Sequence, residues 1–383
     1  MKSLKVLSLF DGISCGQVAL ERAGIPVEVY YASEIDKYAI QVTQKNYPNT
    51  IQLGDVEKID FTQFEGKIDL LIGGSPCTNL SICGNRKGLD GDESRLFWEY
   101  VRAIKECKPK YFLLENVESM SNSDKEIISK ELGCYPICIN SSLLSGQNRK
   151  RYYWFNWGKR EYNLFGFPTC AIPQPKDKGI FLKDVLESGL PYQNKSDCLT
   201  TRYQGATFPH DFLRNQRTQV AEPIVPYVNK KYDEFFKEKG YIPEMFNPYN
   251  KKEIVEKAPT QTTICNTQTS SSTVMLFQPI RLQEYEQSKG QAQRVYSVRG
   301  KSVTFNANGG GQGGKTGLYK IDLPDGDYVI RKLTPIECER LQTLPDNYTE
   351  SISNTQRYKC LGNGWTVDVI AYIFSFLKEK ENE

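Results

Sequence analysis

A Pro-Cys pair stands at the end of an apolar, strand-like run, LLIGG, which ends in two glycines before Ser75, Pro76 and Cys77. Proline fixes the backbone just before Cys77, and the glycines allow another group to approach the main chain closely. A buried thiol is more often a small apolar packing residue. This setting can instead hold a nucleophile, and whether Cys77 is one depends on the charged groups elsewhere in the chain.

Two other segments place charged side chains near strand ends. Glu115 closes the apolar run YFLLE, where a carboxylate is costly unless it has a task or a partner. Arg149 and Arg151, in QNRKR, are two residues apart, so on an extended strand both side chains lie on one face. Guanidinium groups on one face suit phosphate or carbonyl oxygens. These residues are candidates to act together with Cys77.

Acidic and glycine-containing turns follow three more strand-like runs. FDGISCG ends the first run and opens a helix, so a ligand could lie against its backbone at the helix N-terminus. Glu34 ends the second run, where an acidic side chain can accept hydrogen bonds from ribose hydroxyls, and Asp55 ends the third. Each acid alone is more typical of a helix cap or a turn. Three in this order at one sheet edge predict a cofactor of the adenosine type.

The elements that must position these residues alternate along residues 4–157. Short β-branched or aromatic runs are separated by helical patterns, which predicts βαβ units and a mostly parallel sheet with helices on both faces. YPICINSSLL and RYYWFNW predict an antiparallel hairpin. Residues 159–330 are rich in Pro, Gly, Asn, Gln, Thr and Tyr and predict a smaller, irregular β-rich domain.

Regular helix signals return after residue 331. Thr334 to Glu337 form a capping box with proline at the first helical position, and GWTVDVIAYIFSFLKEK is apolar nearly all round, as in a buried helix. We expect this helix to pack back on the first domain. The predicted organisation is therefore a discontinuous α/β domain, residues 1–158 and 331–383, with residues 159–330 inserted.

The composition excludes several classes of protein. His210 is the single histidine, so chemistry that needs two histidines is excluded. The 11 cysteines are odd in number and lack a CxxC pair, which favours a reduced, intracellular protein over a disulfide framework or a zinc site. Cysteines other than Cys77, including Cys198, are expected to be packing residues or free thiols. No apolar run approaches a membrane span, and the N-terminal run is expected to be a core strand.

The basic residues are unevenly distributed although the net charge is only +3. Residues 159–330 carry an excess of Lys and Arg, and no acidic residue occurs between Lys289 and Lys320. A solvated loop could produce this pattern by chance. A surface that faces a polyanion is the sharper hypothesis.

The ordered set of motifs resembles the cytosine-5 DNA methyltransferases. Their signatures stand here as FDGISCG, GGSPC, ENV, QNRKR and GNG, in that order, and RKLTPIECERLQTLP resembles the segment before the last motif. The resemblance covers residues 1–157 and 331–377. SLFDGIS, SPCTNLS, RKGL with RLFWE, SDKE and GNGW look most like the animal de novo enzymes, although a prokaryotic or phage modification enzyme is expected. Ser75, Thr78-Asn79 and Gly364 depart from the commoner family pattern.

The resemblance implies an S-adenosylmethionine-dependent (Rossmann-like) methyltransferase fold and roles for individual residues. Cys77 would add to carbon 6 of a flipped cytosine, Glu115 would meet ring N3, Arg151 would hold the O2 carbonyl, and Arg149 would support the loop or a phosphate. S-adenosylmethionine would give its methyl group to carbon 5 and leave as S-adenosylhomocysteine, with no metal. Phe10 and Ile35 would flank the adenine, Glu34 would bind the ribose, Asp55 the adenine amino group, and Trp365 would lie beside the cofactor. The remaining expected cofactor residues are Asp11, Gly12, Ile13, Ser14, Gly16, Val56, Gly74, Pro76 and Asn363.

The resemblance also implies double-stranded DNA as the partner, with the inserted domain recognising the target sequence. The candidate DNA contacts are Asn79, Ser81, Arg86, Lys87, Arg202, Arg294, Arg299, Lys301, Gln312 and Lys315. Alternatives are a transfer-RNA type cytosine-5 methyltransferase and an inactive DNA-binding homologue, although the latter would be expected to lack Cys77, Glu115 or the arginines. We expect a cytoplasmic monomer, nucleoid-associated if bacterial, and leave open whether a restriction endonuclease accompanies it.

Overall fold

The computed structural model contains two compact units. The first comprises residues 1–187, 193–203 and 334–383, and the second comprises residues 188–192 and 204–333. The residues that the structure describes are 2–75, 95–162, 166–191, 193–200, 218–223, 246–247, 252–253, 281–284, 294–297, 318–323 and 326–382.

A seven-stranded sheet forms the centre of the first unit. Its strands are β1 (Leu4–Leu9), β2 (Val27–Ser33), β3 (Ile51–Gln52), β4 (Leu70–Gly73), β5 (Tyr111–Val117), β6 (Ile137–Asn140) and β7 (Lys150–Phe155). Their order across the sheet is β3-β2-β1-β4-β5-β7-β6, and β7 alone runs antiparallel to its neighbours. The predicted parallel sheet and the predicted β6–β7 hairpin are both confirmed.

The helices of this unit follow their strands as the alternating pattern predicts. They are α1 (Cys15–Ala23), α2 (Lys37–Asn46), α3 (Arg95–Cys107), α4 (Asn122–Leu132), α5 (Pro335–Leu341), α6 (Asn354–Asn363) and α7 (Val367–Asn382). Local signals set their ends: the Asp36 side chain accepts from the Tyr38 N–H at the start of α2, and Gly24, in a left-handed conformation, ends α1. The helices bury apolar faces against the sheet, whose strands β1, β4 and β5 are almost wholly buried.

The C-terminal segment returns to the first unit, as expected. The Thr334 hydroxyl and the Glu337 carboxylate form the reciprocal capping box of α5. Helix α7 packs against α1, and the indole N–H of Trp157 donates to the carbonyl oxygen of Ile373 at 3.1 Å. The last fifty residues therefore complete the core that the first strand begins.

Residues 354–377 are long and apolar enough to cross a membrane, contrary to the expectation that no apolar run approaches that length. The stretch is interrupted between α6 and α7, and 67% of its apolar window is buried inside the protein. Core helices pass the same test of length and composition, so this stretch is weak evidence for a span.

The second unit is rich in β-structure, as predicted. Its six-stranded sheet has the order β10-β11-β17-β16-β15-β14 and is antiparallel except between β15 and β16. Two further hairpins are β8–β9, which lies in the first unit, and β12–β13. The bounds of these strands are β8 Lys159–Tyr162, β9 Pro168–Ala171, β10 Leu190–Pro191, β11 Val220–Pro223, β12 Phe246–Asn247, β13 Lys252–Glu253, β14 Arg281–Glu284, β15 Arg294–Ser297, β16 Leu318–Leu323 and β17 Gly326–Arg331.

The boundaries between the units differ from those that the change in composition indicates. The first unit continues through the β8–β9 hairpin to Glu187 and regains residues 193–203, rather than ending at Gly158. Tyr135 explains part of the difference, because its backbone N–H and C=O bond Pro168 and Cys170 and thereby attach β9 to the first unit.

Candidate active site

The chain leaves β4 through a narrow gap that only glycine fits. A Cβ atom at Gly74 would lie 2.9 Å from the indole Nε1 of Trp365 and 3.0 Å from Oε2 of Glu115. The main chain at Gly74 therefore packs directly against two of the residues that the sequence selected. At Gly73, a Cβ atom would lie 3.0 Å from the ring of Tyr100, which explains the second glycine.

Glu115 and Arg151 form an ion pair across β5 and β7. The Nε of Arg151 lies 3.0 Å from Oε1 of Glu115, and the two side chains are 15% and 11% exposed. In the antiparallel register Glu115 faces Tyr153 and Arg151 faces Val117, so the two charged residues are diagonal neighbours on one face. Burial lowers the pKa of Arg151, but the Glu115 carboxylate, Cys198 and Tyr153 together outweigh burial and leave that pKa above its usual value.

Asn116 joins β5 to the segment that leads to Cys77. Its side-chain amide donates to the hydroxyl of Ser75 at 3.2 Å and to the carbonyl oxygen of Ser75 at 3.5 Å. The side-chain oxygen Oδ1 of Asn116 accepts the Val117 N–H, and this bond sets the orientation of the side-chain amide. This asparagine is the middle residue of ENV, and its contact with Ser75 is not predictable from the sequence. Cys77 lies outside the described residues, as do Pro76, Asn79, Ser81, Arg86 and Lys87.

Arg149 holds three segments of backbone together. It is 5% exposed, and its guanidinium donates to the carbonyl oxygens of Leu199 at 3.2 Å, Gly362 at 3.4 Å and Gly364 at 3.0 Å. These bonds tie the QNRKR segment to the turn between α6 and α7. Of the two roles expected for Arg149, the geometry fits support of a loop better than contact with a phosphate.

Cys198 contacts both arginines. Its sulfur lies 3.2 Å from a terminal nitrogen of Arg149 and 3.6 Å from one of Arg151. Burial would raise the pKa of this thiol, but the two positive charges outweigh burial and bring the pKa below its usual value. The expectation that Cys198 is merely a packing residue or free thiol misses this placement, because residues 149 and 198 are distant in sequence.

The FDGISCG segment forms a tightly held loop between β1 and α1. Phe10, Gly12 and Ser14 all have left-handed backbones, with φ of 57°, 60° and 57°. For Phe10 and Ser14 this conformation is strained, and such strain persists where the surroundings over-determine the backbone, often at functional sites. The Asp11 carboxylate accepts from the hydroxyls of Ser14 and Tyr30, which fixes the loop.

The Asp11 carboxyl group is enclosed by these hydrogen bonds. Burial raises its pKa to about 6, the neighbouring hydroxyls partly oppose this, and the negative charge of Glu34 adds to it. Glu34 itself accepts the Gly12 N–H at 2.8 Å and two N–H groups at the start of the next loop, also at 2.8 Å. Glu34, the predicted second acid, therefore stabilises the predicted glycine turn through its hydrogen bond with Gly12. The sequence alone does not show that these two residues are in contact.

The other expected cofactor residues occupy varied positions at this edge of the sheet. Ile35 is 76% exposed, which is unusual for isoleucine, and offers an apolar surface beside Glu34. Asp55 caps a short 3-10 helix, and its pKa is lowered by the Glu57 N–H and by Lys58. Ile13 and Val56 are buried core residues.

Trp365 lies between Gly16, in the FDGISCG segment, and Gly74, at the end of β4. A Cβ atom at Gly16 would lie 3.7 Å from its ring, and one at Gly74 only 2.9 Å from its Nε1. Gly16 is also confined by Ile72 and Tyr30, which explains a glycine inside α1. Asn363 is exposed as the last residue of α6. Of the candidate DNA contacts, Arg294 begins β15, and the others lie outside the described residues.

Metal-ligating side chains do not cluster in the described part of the chain. No group of three or more His, Cys, Asp or Glu residues there could hold a metal ion. The free cysteines among the described residues are Cys15, Cys107, Cys134, Cys138, Cys170, Cys198, Cys338 and Cys360.

A comparison with protein-family models decides the family. Residues 4–379 match the model described as C-5 cytosine-specific DNA methylase. The chain belongs to the C-5 cytosine-specific DNA methylases. The resemblance stated from the ordered motifs is confirmed, and with it the class of enzyme, a DNA (cytosine-5) methyltransferase.

Named relatives of this DNA methylase align over nearly its whole length. The orphan methyltransferase M.SPRI of Bacillus phage SPR is 28% identical, over 98% of both chains. The type II methyltransferase M.HhaI of Haemophilus parahaemolyticus is 27% identical, over 97% of this chain and 94% of that protein. The solved structure of the methyltransferase EhMeth of Entamoeba histolytica covers all of both chains with a TM-score of 0.55 and 15% identity, which supports the fold alone.

Proposed function

We propose that this DNA methylase transfers a methyl group from S-adenosylmethionine to carbon 5 of a cytosine flipped out of double-stranded DNA, at one short sequence. Cys77 forms the transient covalent adduct, Glu115 meets ring N3, and Arg151 holds the O2 carbonyl. The protein acts as a monomer in the cytoplasm and needs no partner subunit for activity.

The observation that carries the proposal is the Glu115–Arg151 pair beside the end of β4. Glu115 lies against Gly74, and Asn116 bonds Ser75, two residues before Cys77. Two peptide units span at most about 7 Å, so Ser75 and Cys77 are close along the chain. On this ground we infer that Cys77 acts together with the Glu115 carboxyl group and the Arg151 guanidinium.

The chemistry needs this combination because carbon 5 of cytosine is a poor nucleophile. When the Cys77 thiolate bonds to carbon 6, the electrons of the 5,6 double bond form a double bond between carbons 4 and 5, and those of the bond between carbon 4 and N3 move to N3. Carbon 5 thereby becomes the nucleophilic carbon of an enamine. Glu115, in its protonated form, donates its proton to N3 and takes it back when the thiolate leaves, while Arg151 stabilises charge at O2. After methylation, loss of the carbon 5 proton and departure of the Cys77 thiolate restore the double bond.

The residues at the carboxyl edge of β1, β2 and β4 fit an adenosine-type methyl donor. The exposed side chain of Ile35 offers an apolar face for a purine, while Glu34 keeps further acceptor capacity beyond the three N–H groups it already binds. The strained Phe10–Ser14 loop and Trp365 border the same edge. When bound, the cofactor would supply an electrophilic methyl group. This chain's residues would hold and orient it.

The proposed substrate is double-stranded DNA, in which the reacting face of each base is covered by its stacked neighbours. Attack from above the ring plane requires the base to leave the stack, at a cost of on the order of a few kcal/mol. The inserted region has an excess of Lys and Arg, which suits phosphate contacts, and its polar side chains suit base edges in the major groove.

The test is a comparison of wild type with Cys77→Ala in a host that lacks cytosine methylation. We expect bisulfite sequencing to find 5-methylcytosine at one recurring short sequence with wild type and none with Cys77→Ala. Cys138→Ala is the matched control, because Cys138 is half-buried on β6 and bonds neither arginine. An unmethylated genome with folded wild-type protein would contradict the proposal, and labelled methyl transfer to total RNA would then identify an RNA substrate.

A further inference from the structure

Cys198 takes no part in the mechanism above, yet its sulfur lies between the two guanidinium groups of QNRKR. The distances are 3.2 Å to Arg149 and 3.6 Å to Arg151. The residue is half-buried, so the thiol is neither sealed in the core nor free in solvent. A cysteine that served only as a small apolar residue would not need two cationic partners.

Backbone pairing places Cys198 there. Ser196 pairs with Gln147 in a parallel bridge: the Asn148 N–H donates to Ser196 at 2.7 Å, and the Ser196 N–H donates to Gly146 at 2.6 Å. Side chains on one face of an extended chain recur every two residues, so this register puts residue 198 beside residue 149. Main-chain hydrogen bonds therefore bring the backbone of Cys198 beside that of Arg149, within reach of the arginine side chains.

The contact completes the surroundings of the Arg151 guanidinium. Its Nε pairs with Glu115 at 3.0 Å, one terminal nitrogen donates to the carbonyl oxygen of Lys150 at 2.8 Å, and the other donates to Cys198. Guanidinium has five N–H donors in a fixed plane. With three of them bonded to described residues, the plane is oriented, and among those residues one donor on each terminal nitrogen is left for an acceptor such as a carbonyl oxygen.

The charges around the sulfur favour its thiolate. Arg149 and Arg151 face it from the QNRKR segment, the Glu115 carboxylate pairs with the Nε of Arg151, and Asp197, the preceding residue, is exposed. The two arginines outweigh burial and lower the pKa of the thiol. A thiolate makes a stronger, charge-assisted partner for guanidinium than a neutral thiol does.

We propose that Cys198 is a positioning residue for methyl transfer, whose sulfur holds the Arg151 guanidinium in the orientation that meets the pyrimidine carbonyl. The inference rests on the proposed role of Arg151. It adds that a residue of the segment following the β8–β9 hairpin, outside the family motifs quoted above, sets the geometry of the catalytic arginine.

Thiol labelling tests the charge state directly on the intact protein. Iodoacetamide is added between pH 6 and 9, and the labelled peptides are quantified by mass spectrometry. We expect Cys198 to react at lower pH than Cys138, which is also half-buried but whose pKa is raised by burial. Labelling of both residues at the same pH would overturn the inference.

Kinetics test the positioning role. Methyl transfer from labelled S-adenosylmethionine to unmethylated bacterial genomic DNA is measured for wild type, Cys198→Ala, Cys198→Ser and the control Cys138→Ala. We expect Cys198→Ala to lower kcat about tenfold and to change KM for DNA by less than about twofold. The reason is that the Arg151 guanidinium loses a charge-assisted hydrogen bond. Cys198→Ser, which keeps an acceptor, should recover part of kcat and carries the test if the alanine variant does not fold.

The outcomes separate this inference from the proposed function. If wild type methylates DNA and Cys198→Ala does so at the wild-type kcat, only the inference is overturned. If neither wild type nor Cys138→Ala methylates DNA, the proposed function fails and the positioning role fails with it. A change confined to the melting temperature, with kcat preserved, would show a structural role and overturn the inference.

Discussion

Glu115 and Arg151 are the residues on which the proposed chemistry depends most directly within the described chain. The Glu115→Gln variant keeps the shape of the side chain but replaces the carboxyl group with an amide, which cannot supply an acidic proton to N3. We expect the rate of methyl transfer to fall by about 100-fold or more. Single-turnover assays with labelled cofactor measure this.

The control for that variant is Glu28→Gln, because Glu28 is 51% exposed and forms an ion pair with Lys5 across β1 and β2. It should leave the rate unchanged. A Glu115→Gln enzyme that retains wild-type rate and melting temperature would show that this carboxylate does not take part in the reaction.

Asp11 predicts a pH dependence of stability. Because its pKa is raised to about 6 in the folded protein, the folded state binds a proton that the unfolded state releases near 3.8. The resulting stabilisation is present at pH below about 3.8 and is lost as pH rises through about 6. The unfolding free energy of wild type minus that of Asp11→Asn should therefore decrease from pH 4 to pH 7. Urea denaturation of both proteins measures this difference. A difference that stays constant over this range would contradict the assignment.

At the scale of elements, the turn after β4 depends on close approach of backbone to side chains. Gly74→Ala should reduce methyl transfer at least about tenfold, because its Cβ would displace Trp365 and Glu115 at the site. Gly133→Ala is a useful comparison, since nothing lies within 4 Å of its added Cβ although its φ of 70° adds strain. Equal activity of Gly74→Ala and wild type would show that this approach is unimportant for the reaction.

Sequence patterns predicted the elements of the first unit because their signals are local. Apolar runs marked β1, β2, β4 and β5, and the Thr334–Glu337 capping box marked the start of α5. The boundary after Gly158 could not be found in this way. What attaches β9 to the first unit is backbone hydrogen bonding to Tyr135, and backbone groups are the same in every sequence.

At the scale of the whole molecule, the first and last segments of the chain share one core. Ile373 on α7 is fully buried near Trp157, so Ile373→Ala should lower the free energy of unfolding by about 2–5 kcal/mol. Ile127 on α4 is 40% exposed, and Ile127→Ala should change it by less than about 1 kcal/mol. Denaturant titration of both variants measures these changes. Equal losses of unfolding free energy would contradict the burial of the C-terminal helix in the core.

The sequence by itself determined the family and the residue types available for chemistry. Motifs such as GGSPC, ENV and QNRKR are each contiguous, and they follow one another along the chain in the order typical of the family. It also determined the parallel sheet, through the alternation of strand and helix patterns. Only the tertiary structure decided which of these residues meet. The antiparallel direction of β7 brings Arg151 to the carboxyl end of β5 beside Glu115, and the pairing of Ser196 with Gln147 brings Cys198 to both arginines. Such contacts depend on strand direction and register, which are set by long-range packing. A single sequence segment does not specify either of them.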